Sequence, residues 1–267
     1  MPNRWVPAVA IVSLAILLLP GAALAACLGA VAGMPARIFQ TGMQSAAAPA
    51  NSARITFVGH ATFLIETPQG VTAATDYNDY LKPAVIPDIV TMNHAHMTHF
   101  TSQPEAAIRH VLRGWPHEGK PARHNLQYGD MRVRNVPTNI RSYGGETEFD
   151  GNSIFIFDVA GLCIAHLGHL HHELTPGHLA DLGKIDVLFV PVDGGFTLNI
   201  AGMRRVIEQV DAPLVIPMHY FSEATLERFL AQLRDTHEIR LNDSGTTVVS
   251  RPALPSRPTV LILPGPH

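Results

Sequence analysis

The side chains able to do chemistry are concentrated in three short, histidine-rich stretches. They are Thr91-Met92-Asn93-His94-Ala95-His96-Met97-Thr98-His99-Phe100, His166-Leu167-Gly168-His169-Leu170-His171-His172 and Val215-Ile216-Pro217-Met218-His219-Tyr220, in a chain of 267 residues with 15 His. Residues two apart on extended chain project to the same side, so His94 and His96 can share one ligand. A turn through Met97 and Thr98 then brings His99 round to the same cavity. Neutral imidazole is the commonest protein ligand for zinc and also suits copper, nickel and iron. Each stretch leaves the end of an apolar, strand-like run, so the pattern predicts a metal site on one rim of the fold.

Competing chemistries lack their residues. No Gly-x-Ser-x-Gly, Walker loop or dinucleotide fingerprint is present. Two Cys cannot build a disulfide-stapled scaffold or a four-Cys zinc knuckle. Nineteen Lys and Arg against 22 Asp and Glu give a net charge of −3, so there is no basic field to hold nucleic acid. A hydrophobic content of 46% excludes a disordered chain.

The elements that must position the histidines are mostly strands. Runs rich in Val, Ile and Phe, bounded by Gly, Pro, Asn or Asp, predict strands over 54–58, 61–66, 71–75, 88–93, 131–136, 153–159, 162–166, 185–191, 214–218 and 246–250. Helical spacing predicts helices over 104–113, over 200–210 behind Asn199, and over 223–233 behind the N-cap Ser222. Strands in two batches, each followed by helices, predict two sheets with helices outside. The Pro-rich stretch 252–267 is expected to lie over the surface.

Residues 1–33 carry one side-chain charge, Arg4, ahead of an apolar run and small residues, which is the secretory pattern. The segment ends in Leu24-Ala25-Ala26-Cys27, which resembles the lipobox of bacterial lipoproteins. That resemblance implies cleavage before Cys27 and a diacylglycerol thioether on its sulfur. Ala23-Leu24-Ala25 also suits ordinary signal peptidase, and the apolar stretch is long enough for a retained membrane helix. All three readings put the rest of the chain outside the cytoplasm, with the periplasm expected, and the lipoprotein and retained-helix readings hold it at the membrane by an N-terminal lipid or helix. The expected organisation is a signal peptide or anchor over 1–26, an Ala/Gly-rich tether over 27–53 and one domain over 54–267. With Cys27 lipidated, Cys163 is expected to be a buried small hydrophobe without a disulfide partner.

One family carries these features in order. Ile55-Thr56-Phe57-Val58-Gly59-His60-Ala61-Thr62-Phe63-Leu64-Ile65-Glu66 resembles the opening hairpin of the metallo-β-lactamase superfamily, in the branch of ascorbate-6-phosphate-lactonase-like and related zinc-dependent hydrolases. Ala74-Thr75-Asp76 resembles its strand-end Asp, and His94-Ala95-His96-Met97-Thr98-His99 its His-x-His-x-Asp-His motif. Residues 151–155, His166-Leu167-Gly168, residues 185–192 and Ile216-Pro217-Met218-His219-Tyr220 continue the match through about residue 221. The resemblance implies an α/β fold of the four-layer αββα sandwich type, with a one- or two-metal site at one edge of the sheets.

Three departures from the family pattern matter. Thr98 stands where the motif has Asp, Asn139 where the family usually supplies a His, and Gly168-His169 where it has a Gly-Asp whose carboxylate bridges two metals. Two divalent ions bring a charge of +4, and here both family carboxylates are replaced by neutral groups. Uncompensated like charges a few Å apart repel strongly, so a single ion, most simply Zn2+, is expected. The candidate ligands are His94, His96, His99, His169 and His219, with His60, Asp76, Thr98, Asn139 and His166 as supporting or substrate-contacting residues. His171 and His172 are expected to face solvent, and Arg141 and Tyr143 are further candidates for substrate contact. No catalytic base is assigned. The implied activity is hydrolysis of a small ester, lactone, amide or phosphodiester by a metal-activated water. The alternatives are a non-catalytic metal- or ligand-binding descendant and a metal-free one.

Overall fold

The computed structural model describes Met1, residues 47–142 and residues 144–266. The rest of the signal or anchor segment, the tether up to residue 46, Tyr143 and His267 lie outside the described residues.

Among the described residues, fourteen strands form two sheets. The first is built from β1 (Ala53–Gly59), β2 (Thr62–Glu66), β3 (Thr72–Ala74), β4 (Ile89–Met92), β5 (His110–Arg113) and β13 (Thr246–Val249), in the order β13-β1-β2-β3-β4-β5. The second contains β6 (Asn125–Tyr128), β7 (Met131–Arg141), β8 (Thr147–Val159), β9 (Leu162–His166), β10 (Val187–Pro191), β11 (Leu214–Met218), β12 (Glu238–Leu241) and β14 (Thr259–Ile262). Its order is β12-β14-β11-β10-β9-β8-β7-β6. Three helices, α1 (Pro176–Leu182), α2 (Ile200–Val210) and α3 (Glu223–Leu230), complete the described elements together with one 3-10 turn.

The burial pattern explains the layering. β1 alternates buried and half-buried residues, so one face points inward, whereas β9, β10 and β11 are buried throughout and are covered on both faces. Between the sheets lies a core that includes Ile55, Phe57, Phe63, Phe155, Phe157, Phe189 and Ile216, with Phe63 and Phe189 stacked at 4.1 Å. On the outer face of the larger sheet, Met203, Val206 and Ile207 of α2 and Phe229 and Leu230 of α3 pack against Leu188, Val190 and Val215. The outer face of the smaller sheet is covered differently. Val90 and Met92 pack there with Tyr77 and Ile108, and Phe100 and Trp115 close over them.

This is the sandwich of the expected class, and several local expectations are corrected. Residues 104–113 are not a helix; their C-terminal part is β5, which pairs in parallel with β4 from Ile89↔His110 to Met92↔Arg113. Sheet pairing overrode the helical spacing there, because His110–Arg113 extends an otherwise open edge. The Pro-rich stretch is not a surface tail. β14 inserts between β11 and β12, parallel to both, because Thr259–Ile262 is apolar enough to enter a sheet. The folded body also starts earlier than residue 54, since Ala48 is buried and donates its N–H to Thr67 O at 3.1 Å. Cys163 is buried as expected but is disulfide-bonded, so the expectation of an unpartnered thiol does not hold.

What places the site is strand direction. β9, β10 and β11 run parallel, so the segments leaving them emerge on one edge. β3 and β4 are parallel as well, and the residues after them reach the same edge. Ligand sites in α/β sheets form at such carboxyl ends.

Candidate metal centre

Four histidines meet at that edge. The ligand nitrogens of His60, His96, His99 and His219 all lie within 4.8 Å of one another. His60 comes from the β1–β2 turn, His96 and His99 from the loop after β4, and His219 from the end of β11. His60, Asp76 and His219 adopt left-handed backbone, at φ 52°, 41° and 54°. Such conformations cost of order 1–3 kcal/mol in non-glycine residues and persist where the surroundings hold them. Here His219 N donates to His60 O at 2.8 Å, and His60 N donates to Pro266 O at 3.2 Å.

Buried carboxylates hold two of the rings. His99 Nδ1 is 2.5 Å from Asp76 Oδ2, and Asn93 Nδ2 donates to Asp76 Oδ1 at 2.9 Å. His219 Nδ1 is 3.0 Å from Asp193 Oδ2, although its N–H does not line up with that oxygen. Thr98 Oγ1 lies 2.8 Å from His96 Nδ1. With each partner on the Nδ1 side, the Nε2 atoms of these rings turn inward, the arrangement carboxylate–histidine–metal triads use.

The charges follow from burial. Burial and the neighbouring His219 push the His60 imidazole down to about 3, and His99 is driven well below the ordinary imidazole value, again by burial first and His219 second. Burial pushes the Asp76 carboxyl up to about 6. Burial alone would raise Asp193 too, but the adjacent His219 ring and the bond from Thr197 hold it below the usual carboxylate range. Burial therefore favours the neutral form of the His60, His96 and His99 rings.

A divalent ion fits this donor set. With hydrogens on Nδ1, the Nε2 lone pairs of His99 and His219 face each other across 3.1 Å. That contact is repulsive unless a cation accepts both. Tetrahedral zinc with Zn–N bonds of about 2.0–2.1 Å separates its nitrogens by about 3.3 Å. His60 Nε2 is buried with no hydrogen-bond partner, a polar atom that burial penalises by about 1–3 kcal/mol if nothing binds it.

A cleft of about 560 Å³ opens onto the centre, lined by Ala95, His96, Arg141, Ser142, Gly145, His169, His171, Gly195, Phe196 and Phe221. Phe196 and Phe221 are 66% and 53% exposed, with their rings edge to face at 5.7 Å. Asp193 organises the loop that presents Phe196: its Oδ1 accepts from Gly195 N, Phe196 N and Thr197 N, and its Oδ2 accepts from Thr197 Oγ1.

The family model described as "Beta-lactamase superfamily domain" matches residues 54–219, more than half of the chain. The chain belongs to the metallo-β-lactamase superfamily. A metal-dependent hydrolase of Methanosphaerula palustris is 26% identical over 193 residues, covering 66% of this chain and 87% of the relative. One from Carboxydothermus hydrogenoformans is 25% identical over 206 residues, covering 68% and 91%. Among solved structures, a protein of Thermotoga maritima described as a Zn-dependent hydrolase of this superfamily aligns with a TM-score of 0.58 and 26% identity, covering 80% of this chain and 100% of its own. Igni18, a metallo hydrolase of Ignicoccus hospitalis, shares the fold at a TM-score of 0.52 and 19% identity, covering 69% and 91%.

Within this metallo-β-lactamase fold, the expected site residues divide into groups. His96, His99 and His219 meet, joined by His60, which the sequence ranked only as a supporting residue. His94 is not with them: its Nδ1 pairs with Glu148 Oε1 at 2.9 Å, and its ring lies over Phe100 and Trp115 at the surface. β4 ends at Met92 and the chain bends through residues 94–96, so the two-residue alternation does not apply. Asp76 and Thr98 buttress ligand rings as described. His169 stands beside the four, its Nε2 3.1 Å from His96 Nε2. Asn139 sits at a β7–β8 register shift, where its Oδ1 accepts from Asp150 N. His166 spends both ring nitrogens on backbone, Nε2 on Ala61 O and Nδ1 on Gly168 N.

Two residues escaped the sequence reading. Asp193 is one; its signal is an acid followed by Gly194-Gly195 at the carboxyl end of an apolar strand. His171 is the other. Rather than facing solvent it is half-buried, with its Nε2 2.5 Å from His169 Nδ1, and Arg141 N and Nε both donate to its Nδ1. Burial, then the Arg141 charge, lowers it to about 4.

Proposed function

We propose that this protein is an exported, metal-dependent hydrolase of the metallo-β-lactamase fold that uses one transition-metal ion, zinc, on a small ester, lactone, amide or phosphodiester. The observation that carries this reading is the convergence of four imidazoles whose ligand nitrogens lie within 4.8 Å of one another, with those of His99 and His219 3.1 Å apart. His96, His99 and His219 would hold the ion, with His60 at the fourth position or beside it. The names of the 25–26% identical relatives, and of the Thermotoga maritima structure, support the assignment of metal and reaction type.

A bound ion of this class supplies Lewis-acid polarisation of a scissile carbonyl or phosphoryl group and a water that is nucleophilic near neutral pH. The protein's own residues do the rest. Asp76 and Thr98 fix the His99 and His96 rings, Asp193 fixes His219 and the cleft loop, and Phe196 and Phe221 offer an apolar wall that excludes water from one side of a substrate. Thr98 and His169, at the two family carboxylate positions, leave no negative charge to offset a second ion.

Export is supported by Arg4, the apolar run behind it and the Leu24–Cys27 segment, and a disulfide at Cys163 is the cysteine chemistry of an oxidising compartment. The second reading, a non-catalytic metal binder, draws on Thr98, because no carboxylate takes the motif position that would orient a water. Two measurements decide between them. Elemental analysis of the mature protein purified without a His tag should find one zinc per chain, and a metal-free protein would overturn the metal reading. A screen of lactones, phosphodiesters and acyl amides should find metal-dependent turnover; full zinc occupancy with no turnover would favour the binder.

A further inference from the structure

We infer that His169 is a hydrogen-bond donor into the centre rather than one of its ligands, and that Arg141 fixes the donor by dictating which nitrogen of His171 carries hydrogen. The inference rests on the metal-hydrolase reading only for what that donor serves.

The argument is a count of hydrogens. Arg141 presents two N–H groups, its backbone N at 2.9 Å and Nε at 3.1 Å, to the same atom, His171 Nδ1. A ring nitrogen receiving two donors carries no hydrogen of its own, so the His171 hydrogen sits on Nε2. That N–H is 2.5 Å from His169 Nδ1, which must accept it. The remaining hydrogen of His169 is therefore on Nε2, aimed at His96 Nε2 3.1 Å away. His96 in turn carries its hydrogen on Nδ1, 2.8 Å from Thr98 Oγ1. Every contact in this row has one donor and one acceptor.

For His169 Nε2 to coordinate, its hydrogen would have to move to Nδ1, directly against the His171 N–H. Relieving that clash means giving up both Arg141 bonds. Arg141 is itself pinned, with Nη2 donating to the carbonyls of Gly195, Phe196 and Thr197. Those residues form the loop gathered by Asp193, which also buttresses His219, so one arrangement sets a ligand ring and the non-ligand donor together.

A cation held by His96 removes the acceptor that His169 now faces. The N–H then points into the cleft that both rings line, where the complementary group is a carbonyl or phosphoryl oxygen of the substrate. His169 is thus a substrate-contacting donor, and Arg141 and His171 are positioning residues. Where the family pattern has an acceptor carboxylate, this chain has a donor.

Nitrogen-15 long-range NMR of the metal-free, full domain tests the hydrogen placement directly. Both His169 and His171 should show a bare Nδ1 and a protonated Nε2, and Arg141→Met should mix the two forms; hydrogen on His169 Nδ1 in the unsubstituted protein would overturn the inference. Zinc affinity gives a second arm. His169→Gln keeps a donor and should hold zinc within about threefold of the unsubstituted protein, whereas His96→Gln should lose at least 10–100-fold; equal losses would make His169 a ligand. If a substrate is turned over, His169→Gln should retain more kcat/KM than His169→Ala or His169→Asp, and a better Asp variant would count against the donor. Should nothing be turned over, the hydrolase reading fails while the NMR and affinity arms still decide this one.

Discussion

Asp76 Oδ2 lies 2.5 Å from His99 Nδ1, and neither side chain is exposed at all. A carboxylate in that position orients the ring and strengthens it as a ligand, and losing such a partner typically costs 10–100-fold in metal affinity. Asp76→Asn is therefore expected to weaken zinc binding by that factor while the domain stays folded, since Asn can still take the bond from Asn93. Competition with a chromophoric chelator measures it; an unchanged affinity would detach Asp76 from the centre.

Metal-free protein should lose stability in mild acid. His60 is lowered to about 3 in the folded state and has its ordinary value of about 6.5 when unfolded. Between those values the unfolded chain binds the extra proton, so its contribution is fully present above about 6.5 and is lost as pH falls toward 3. At pH 5, about 1.5 units below the ordinary value, His60 alone accounts for about 2 kcal/mol, or ~4–8 °C in Tm for a domain of this size. Thermal scans of chelator-treated protein at pH 7.5 and 5 check the sign. His171, lowered to about 4, pushes the same way.

Gly168 should tolerate no side chain. Its φ is 61°, and an added Cβ would lie 2.3 Å from Asn152 Oδ1 and 2.4 Å from Asn93 Nδ2. Those amides hold His169 N and Asp76 Oδ1. Gly168→Ala combines backbone strain with overpacking and should cost at least about 3 kcal/mol, read by urea denaturation. A variant of normal stability would mean the turn is less confined than its contacts suggest.

Phe196 and Phe221 supply the exposed aromatic wall of the cleft. Truncating either to Ala should raise KM for aryl or long-acyl substrates by about tenfold, roughly one to two kcal/mol of apolar contact, and leave kcat for small substrates nearly unchanged. Equal losses for small and bulky substrates would argue that the pair shapes the centre itself.

An alkaline phosphatase fusion joined after residue 53 should be active, and an inactive one would refute export. The form of attachment then separates by chemistry. The chain has two cysteines, so a thioether lipid on Cys27 and an intrachain bridge to Cys163 exclude each other. Palmitate incorporation abolished by Cys27→Ser is the lipoprotein outcome. Two thiols appearing only after reduction are the bridged one, which the disulfide at Cys163 favours.

The sequence carried much of this, unevenly. β9, β11 and α2 have the boundaries their apolar runs and the Asn199 cap imply, because burial on both faces and a strong cap leave little freedom. β5 and β14 were not legible, since their pairing partners are remote and their own residues read as helix or as a Pro-rich surface stretch. The centre shows the same division. Which loops bring histidine was readable from strand ends; which ring turns inward was not. His94 turns to Glu148 and His60 turns in because of a left-handed turn and a carbonyl from the other end of the domain, and no local spacing encodes either.

That last contact has a temporal consequence. The turn that aims His60 is tied to Pro266, and β14 must slot between two strands before Pro266 reaches it. The centre therefore joins the earliest and latest parts of the described domain, and long-range closure of that kind comes late in folding. A chain still being threaded across a membrane would carry all its histidines and yet offer no assembled pocket. Metal would be acquired only where folding finishes, so under the proposed export the ion pool of the destination compartment, not that of the site of synthesis, would choose which metal the protein keeps.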